Sequence, residues 1–198
     1  MMVFYKKALV FLAVPKTGTT AYEEALGPIA DIVFRDPPIL KHSPWYRYNR
    51  FVRPMLEDVA GRPMTTLAVV REPISWLGSW WRYRQRDDLR GAPQSTLDVS
   101  FDTFVDDYAR GTKPPHAQVG SQARFLQGKD GSRIVDHVFR YEERDRLDAF
   151  LEARLGIAPR TRRINASPGT LPPLSERVDA KLRRKCAAEF DAWNAAEG

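Results

Sequence analysis

Lys16, Thr17, Gly18, Thr19 and Thr20 follow the apolar run Ala8–Val14 and Pro15, and the helix-compatible stretch Tyr22-Glu23-Glu24-Ala25-Leu26 comes next. A strand–turn–helix of this kind gathers free backbone N–H groups and the positive end of a helix dipole at one point. Gly18 lets the backbone approach an anion closely, Lys16 adds a full positive charge, and the threonines add hydroxyl donors. The chemistry these residues suit is capture of a phosphate or a phosphate-like group. They do not form a Walker A loop, Gly-x-x-x-x-Gly-Lys-Ser/Thr, in which lysine follows the second glycine and a hydroxyl meets magnesium. Here the lysine precedes the only glycine of the turn, which disfavours ATP with magnesium, and no metal is expected.

A second anion-binding pattern begins where Thr66–Val70 ends in Arg71-Glu72-Pro73-Ile74-Ser75-Trp76-Leu77-Gly78-Ser79. Pro73 suits the first turn of a helix. Helical spacing then puts Ser75, Ser79 and Arg82 on one face and Trp76, Trp80 and Tyr83 on the neighbouring one. Arg71 stands at the carboxyl end of a strand, where open parallel sheets bind ligands. An arginine with a serine two turns along the next helix can hold a phosphate by a fork plus a hydroxyl. The tryptophans read as core.

Together the two segments resemble the sulfotransferase family that uses 3′-phosphoadenosine 5′-phosphosulfate. Pro15-Lys16-Thr17-Gly18-Thr19-Thr20 looks like its 5′-phosphosulfate loop, and Arg71-Glu72-Pro73 through Ser79 looks like its 3′-phosphate motif, with the arginine-to-serine spacing preserved. Tyr141-Glu142-Glu143 and Asn165-Ala166-Ser167 are weaker matches, the latter to the carbohydrate branch. Glu72 stands for the usual aspartate, and Trp76 stands where many members carry an arginine; Arg162 or Arg163 is the expected substitute. The resemblance implies the phosphosulfate nucleotide as donor substrate, Lys16 stabilising its leaving oxygens and Thr19 and Thr20 holding the 5′-phosphate. Thr17 and Gly18 complete that loop, and Arg71 with Ser79 grips the 3′-phosphate.

Sulfuryl transfer needs in-line geometry, charge stabilisation and a base for the acceptor hydroxyl. Histidine suits that proton transfer, and the chain has three. His42, in Leu40-Lys41-His42-Ser43, lies where the resembling family often carries its histidine base, so His42 joins Lys16 as the expected catalytic pair. His116 sits in a Pro-Pro-His loop that could border the acceptor, whereas His137 lies in an apolar strand pattern and reads as structural. Glu23 or Glu24 is the alternative base, since some carbohydrate sulfotransferases use a glutamate.

These residues need a scaffold, and four apolar runs provide one: Ala8–Val14, Asp31–Phe34, Thr66–Val70 and Ile134–Phe139. They lack strict alternation, as parallel strands covered on both faces do, and helical patterns lie between them. The expected class is α/β, a three-layer sandwich around a central, mainly parallel sheet of four to five strands, and the resemblance implies a P-loop nucleotide hydrolase-like arrangement. Leu147, Phe150, Leu151 and Leu155 make a helical stripe that Gly156 ends. Ser175 is the expected N-cap of a last helix carrying Val178, Leu182, Cys186, Phe190 and Trp193 on one face. Arg86–Ser100 and Ala158–Pro173 read as loops, and segments 86–120 and 158–173 are the expected lids over a single domain spanning 1–198.

The chain has 198 residues, 43% hydrophobic and 11% aromatic, enough for a substantial core. A net charge of +6 favours anionic ligands without choosing among them. Cys186 is the only cysteine, which excludes an internal disulfide and fits a reducing compartment. No stretch is long enough to cross a bilayer, so the expected location is cytoplasmic, without integral membrane association. No nucleic-acid motif is present, which leaves a non-catalytic polyanion- or nucleotide-binding module and a small-molecule kinase as the rival readings. The acceptor is a small molecule or glycan. Arg35, Lys41, Arg47, Arg50 and Arg53, interleaved with Trp45, Tyr46 and Tyr48, form either a groove for an anionic sugar or an amphipathic helix packing its aromatics inward.

Overall fold

The computed structural model describes residues 1–128, 130, 135–161 and 170–197. In chain order the elements begin with β1 (Met2–Phe4), β2 (Leu9–Phe11), α1 (Thr19–Leu26), β3 (Ile32–Val33), α2 (Pro38–Lys41), α3 (Trp45–Phe51), α4 (Arg53–Ala60) and β4 (Thr65–Val70). They continue with α5 (Pro73–Tyr83), α6 (Phe101–Tyr108), α7 (Gln122–Leu126), β5 (His137–Arg140), α8 (Arg144–Leu155), α9 (Glu176–Lys185) and α10 (Ala187–Asn194). The chain divides into two compact units. The first comprises Met1–Arg71, Gln122–Ile164 and Ala195–Gly198, and the second Glu72–Ser121 and Asn165–Asn194.

The first unit holds one five-stranded sheet in the order β3-β1-β2-β4-β5. β2, β4 and β5 are parallel neighbours, with Val10 opposite Thr66 and Val69 opposite Phe139. β1 runs antiparallel to both of its neighbours, with Val3 opposite Val10 and Met2 opposite Val33. The protein is therefore α/β with an open mixed sheet, parallel at its centre and flanked by helices. The sheet is less parallel than expected because Met2–Phe4 forms a strand that enters between β2 and β3. A three-residue helical turn, Tyr5–Lys7, makes that hairpin, and Ala8 closes it in left-handed backbone (φ 48°) by donating its N–H to the Tyr5 carbonyl at 3.0 Å.

β4 explains its own position. Its Thr-Thr-Leu-Ala-Val-Val sequence is apolar or β-branched throughout, and Thr66–Val70 are all buried between two parallel partners. Phe11, Leu67, Val69 and Phe139 of the sheet pack with Tyr22 and Leu26 of α1 and with Leu147, Leu151 and Leu155 of α8. Each such side chain contributes about 1.5–3 kcal/mol when fully buried. The α8 stripe is as expected, and Gly156 ends it at φ 81°. The Ile134–Phe139 strand is observed as His137–Arg140, Ile134 itself lying outside the described residues.

The second unit is helical around Trp76, Leu77, Phe101, Phe104, Val105, Tyr108, Val178 and Leu182. Within segment 86–120, residues 101–108 form α6, whose Phe101, Phe104, Val105 and Tyr108 sit at core spacing and are buried. Residues 162–169 of segment 158–173 lie outside the described residues. The last helix is two helices. The chain leaves helical geometry at Cys186 (φ −121°, ψ 32°) after Arg183, Arg184 and Lys185, three cations suited to a helix C-terminus. Ser175 occupies the N-cap position, but its hydroxyl and amide both turn to the Asp102 carboxylate, at 3.0 and 2.7 Å. Among the described residues, no helix is long and apolar enough to cross a membrane.

Candidate functional site

The turn after β2 is strained in a way that suits close approach. Lys16 and Gly18 both adopt left-handed backbone, φ 66° and 76°. A side-chain-bearing residue pays about 1–2 kcal/mol for that conformation, and such residues cluster at ligand-holding turns. Gly18 is the N-cap of α1, whose first amide groups have no carbonyl partner within the helix and whose first turn carries no acidic residue. The Thr17 hydroxyl faces inward: the residue is fully buried, and Oγ1 donates to the Val14 carbonyl at 2.9 Å, closing the turn. Thr19, the first residue of α1, is buried, and Thr20 is exposed.

Arg71 is fixed from both sides of its own peptide groups. Its N–H donates to Gln122 Oε1 at 2.9 Å, and Gln122 Nε2 donates to its carbonyl at 2.9 Å. The side-chain amide thereby supplies the hydrogen bonds a further strand would make, at the point where β4 ends. The Arg71 guanidinium lies 4.6 Å from the centre of the Tyr141 ring, a cation–π distance. The same ring presses on Gly18: a Cβ built there would stand 2.9 Å from Tyr141 Cε2. Tyr141 follows β5 directly and donates its amide to the Val70 carbonyl at 2.7 Å, which holds the ring in register with the end of β4. The turn and Arg71 thus meet on one aromatic side chain of the first unit.

No protein-family model matches this chain, and no curated protein does.

His42 stands beside the turn from another direction. Its Nδ1 is 2.7 Å from the carbonyl of Ala13, three residues before Lys16. A carbonyl only accepts, so Nδ1 carries the proton and Nε2 of the neutral ring keeps its lone pair. Burial lowers the His42 pKa below the ordinary histidine value, outweighing the opposite effect of the Ala13 bond, and Lys41 lowers it further. A neutral imidazole with a free Nε2 can accept a proton.

Glu23, His116 and His137 are engaged elsewhere. Glu23 is buried on α1 and takes ion pairs from Arg35 at 2.7 Å and Lys41 at 2.9 Å. Burial alone would raise its pKa, but those two cations win and hold it below the usual carboxylate range. Glu24 is exposed on the same helix. His116, in the second unit, pairs through Nε2 with Asp107 at 2.8 Å, and Asp107 also binds Arg110 at 2.8 Å. His137 pairs with Glu197 at 3.1 Å and packs against Phe139 and Phe150, the structural role its strand position suggested.

Ser79 lies in the second unit, buried on α5, whose start is capped by the Glu72 carboxylate accepting from the Ser75 amide at 2.7 Å. Arg162, Arg163 and Asn165-Ala166-Ser167 lie outside the described residues. In the basic, aromatic stretch, Trp45 and Tyr48 are buried while Tyr46 and Arg50 are exposed, so its aromatics divide between the two faces. A cavity of about 320 Å³, lined by Trp45, Arg53, Thr66 and Asp136 among others, opens at the amino end of β4, away from the turn. Sequence reasoning missed Gln122, for which an isolated glutamine gives no signal, and it treated Tyr141 only as part of a weak motif. Its place immediately after a strand was the available clue.

Proposed function

We propose that this chain is a sulfotransferase that moves a sulfuryl group from 3′-phosphoadenosine 5′-phosphosulfate to the hydroxyl of a glycan or small-molecule acceptor, on a P-loop-like α/β scaffold. The observation that carries the reading is the convergence of the Lys16–Gly18 turn and Arg71 on Tyr141. It supports two anion grips belonging to one site, as a nucleotide with phosphates at both its 5′ and 3′ positions requires. Lys16 offsets negative charge on the oxygens of the leaving phosphate. The amides of Gly18, Thr19 and Thr20 hold the 5′ end with the helix dipole behind them. Arg71 takes the 3′-phosphate. His42 Nε2 accepts the acceptor's proton as its oxygen attacks sulfur and the sulfur–oxygen bond to the phosphate breaks. The imidazolium so formed is held by the Nδ1 bond to Ala13.

The test compares thermal stabilisation by adenosine 3′,5′-bisphosphate, ATP with magnesium, and adenosine 5′-phosphate. A ligand at about one hundred times its dissociation constant adds roughly 2.7 kcal/mol. The bisphosphate should stabilise most, and Arg71→Met should remove its advantage over the 5′-phosphate. Equal responses to the bisphosphate and the monophosphate refute the donor assignment.

A further inference from the structure

The helical segment formed by α3 and α4 is apolar on two sides. Trp45, Tyr48 and Leu56 are buried within the first unit. Yet Phe51, Met55 and Val59, at i, i+4 and i+8, remain 64%, 54% and 73% exposed. Ile39 is also 59% exposed, and its carbonyl accepts from Arg47 at 3.2 Å. A row of exposed apolar side chains at helical spacing is the kind of surface that marks an interface.

The charges bordering the stripe say what covers it. Arg50 is exposed at its amino end, its guanidinium 5.1 Å from the Phe51 ring, and Asp58 is exposed at its carboxyl end. Neither has an ion partner among the described residues. Glu57, by contrast, is occupied by Arg53 and the Met64 amide. The order along the surface is basic, apolar, acidic. That order is complementary to itself when the helix is met by an identical helix running the other way. Arg50, near the end of α3, and Asp58, in α4, are eight residues apart, with the break at Val52 between the two helices. An anionic lipid surface suits this face poorly, since Asp58 would lie against the headgroups.

We propose that this face is the isologous interface of a homodimer, in which α4 and the end of α3 pack antiparallel on the same segment of a second copy. Phe51, Met55 and Val59 form its apolar centre, and Arg50 of each copy pairs with Asp58 of the other. Two-fold symmetry makes each contact occur twice. The interface lies on the first unit and does not depend on the donor assignment.

Sedimentation velocity of the full chain over a wide concentration range tests it. The wild type should show a concentration-dependent monomer–dimer equilibrium. Asp58→Arg and Arg50→Asp should each raise the dimer dissociation constant about tenfold or more, because each places like charges together twice. The doubly swapped chain, carrying both substitutions, should recover most of that loss. Met55→Glu should be monomeric with an unchanged far-ultraviolet circular dichroism spectrum. A wild type that stays monomeric at all concentrations overturns the proposal. So does a dimer indifferent to the charge reversals, a double swap no better than the singles, or binding to anionic phosphatidylglycerol vesicles that Met55→Glu abolishes.

Discussion

Replacing Gly18 with alanine probes the turn through two separable terms. The first is backbone: at φ 76° an L-residue pays about 1–2 kcal/mol. The second is contact: the new methyl would stand 2.9 Å from Tyr141 Cε2, about half an ångström inside ordinary carbon–carbon contact. The ring cannot swing away cheaply. Its backbone is tied to Val70 at 2.7 Å, it packs against the sheet core, and the Arg71 guanidinium lies 4.6 Å from its centre. Overpacking of that kind costs about 1–3 kcal/mol. Gly18→Ala should therefore destabilise the protein by about 2–5 kcal/mol, a fall of roughly 4–20 °C in melting temperature for a chain of this length. The assay is thermal unfolding of four proteins: wild type, Gly18→Ala, Tyr141→Ala and the double variant. In the double variant the contact term disappears and the backbone term stays, so the two substitutions should couple by about 1 kcal/mol or more. A Gly18→Ala protein as stable as wild type would refute the left-handed turn, and strict additivity would refute the contact with Tyr141.

The remaining predictions concern pH. Burial depresses the His42 pKa, so between the folded value and the unfolded value near 6.5 the unfolded chain binds more protons. Stability should thus fall as pH drops below about 6.5, and His42→Gln should lose part of that slope; an unchanged slope assigns it to other groups. Asp106 is held below the usual aspartate value first by its hydrogen bond from Lys181, against some burial, and then by Arg177. Its contribution is present above about pH 4 and lost as pH falls through the folded value. Asp106→Asn should flatten acid unfolding below that pH, and an unaltered acid limb would show that the cluster contributes nothing.

The sheet was legible where burial dominates and illegible where geometry does. Thr66–Val70 announces itself because a strand with parallel partners on both sides must be apolar throughout. Met2–Phe4 is apolar too, but three residues carry no periodicity, and its pairing with β2 depends on Ala8 adopting φ 48°, a conformation its side chain does not advertise. The break at Cys186 was hidden for a related reason. The stripe Val178, Leu182, Cys186, Phe190 continues at helical spacing across it, and only the cationic run Arg183-Arg184-Lys185 marks the end. Periodicity reports which residues share a face; it does not report where the backbone stops.

The candidate site divides along the same line. Lys16, Gly18 and Arg71 stand out in the sequence through local context alone: a strand end, a turn, a helix start. Their convergence could not be read, because it runs through Tyr141, which lies 123 residues beyond Gly18 and 70 beyond Arg71. The geometry also changes what Gly18 is for. As a residue of the turn, glycine was expected for close approach of an anion. In the folded protein its missing side chain also makes room for an aromatic ring that touches Arg71. A substitution at Gly18 would press on the ring that Arg71 packs against as well as narrow the turn itself. The turn and Arg71 therefore share one aromatic neighbour, and a change at either is expected to be felt at the other.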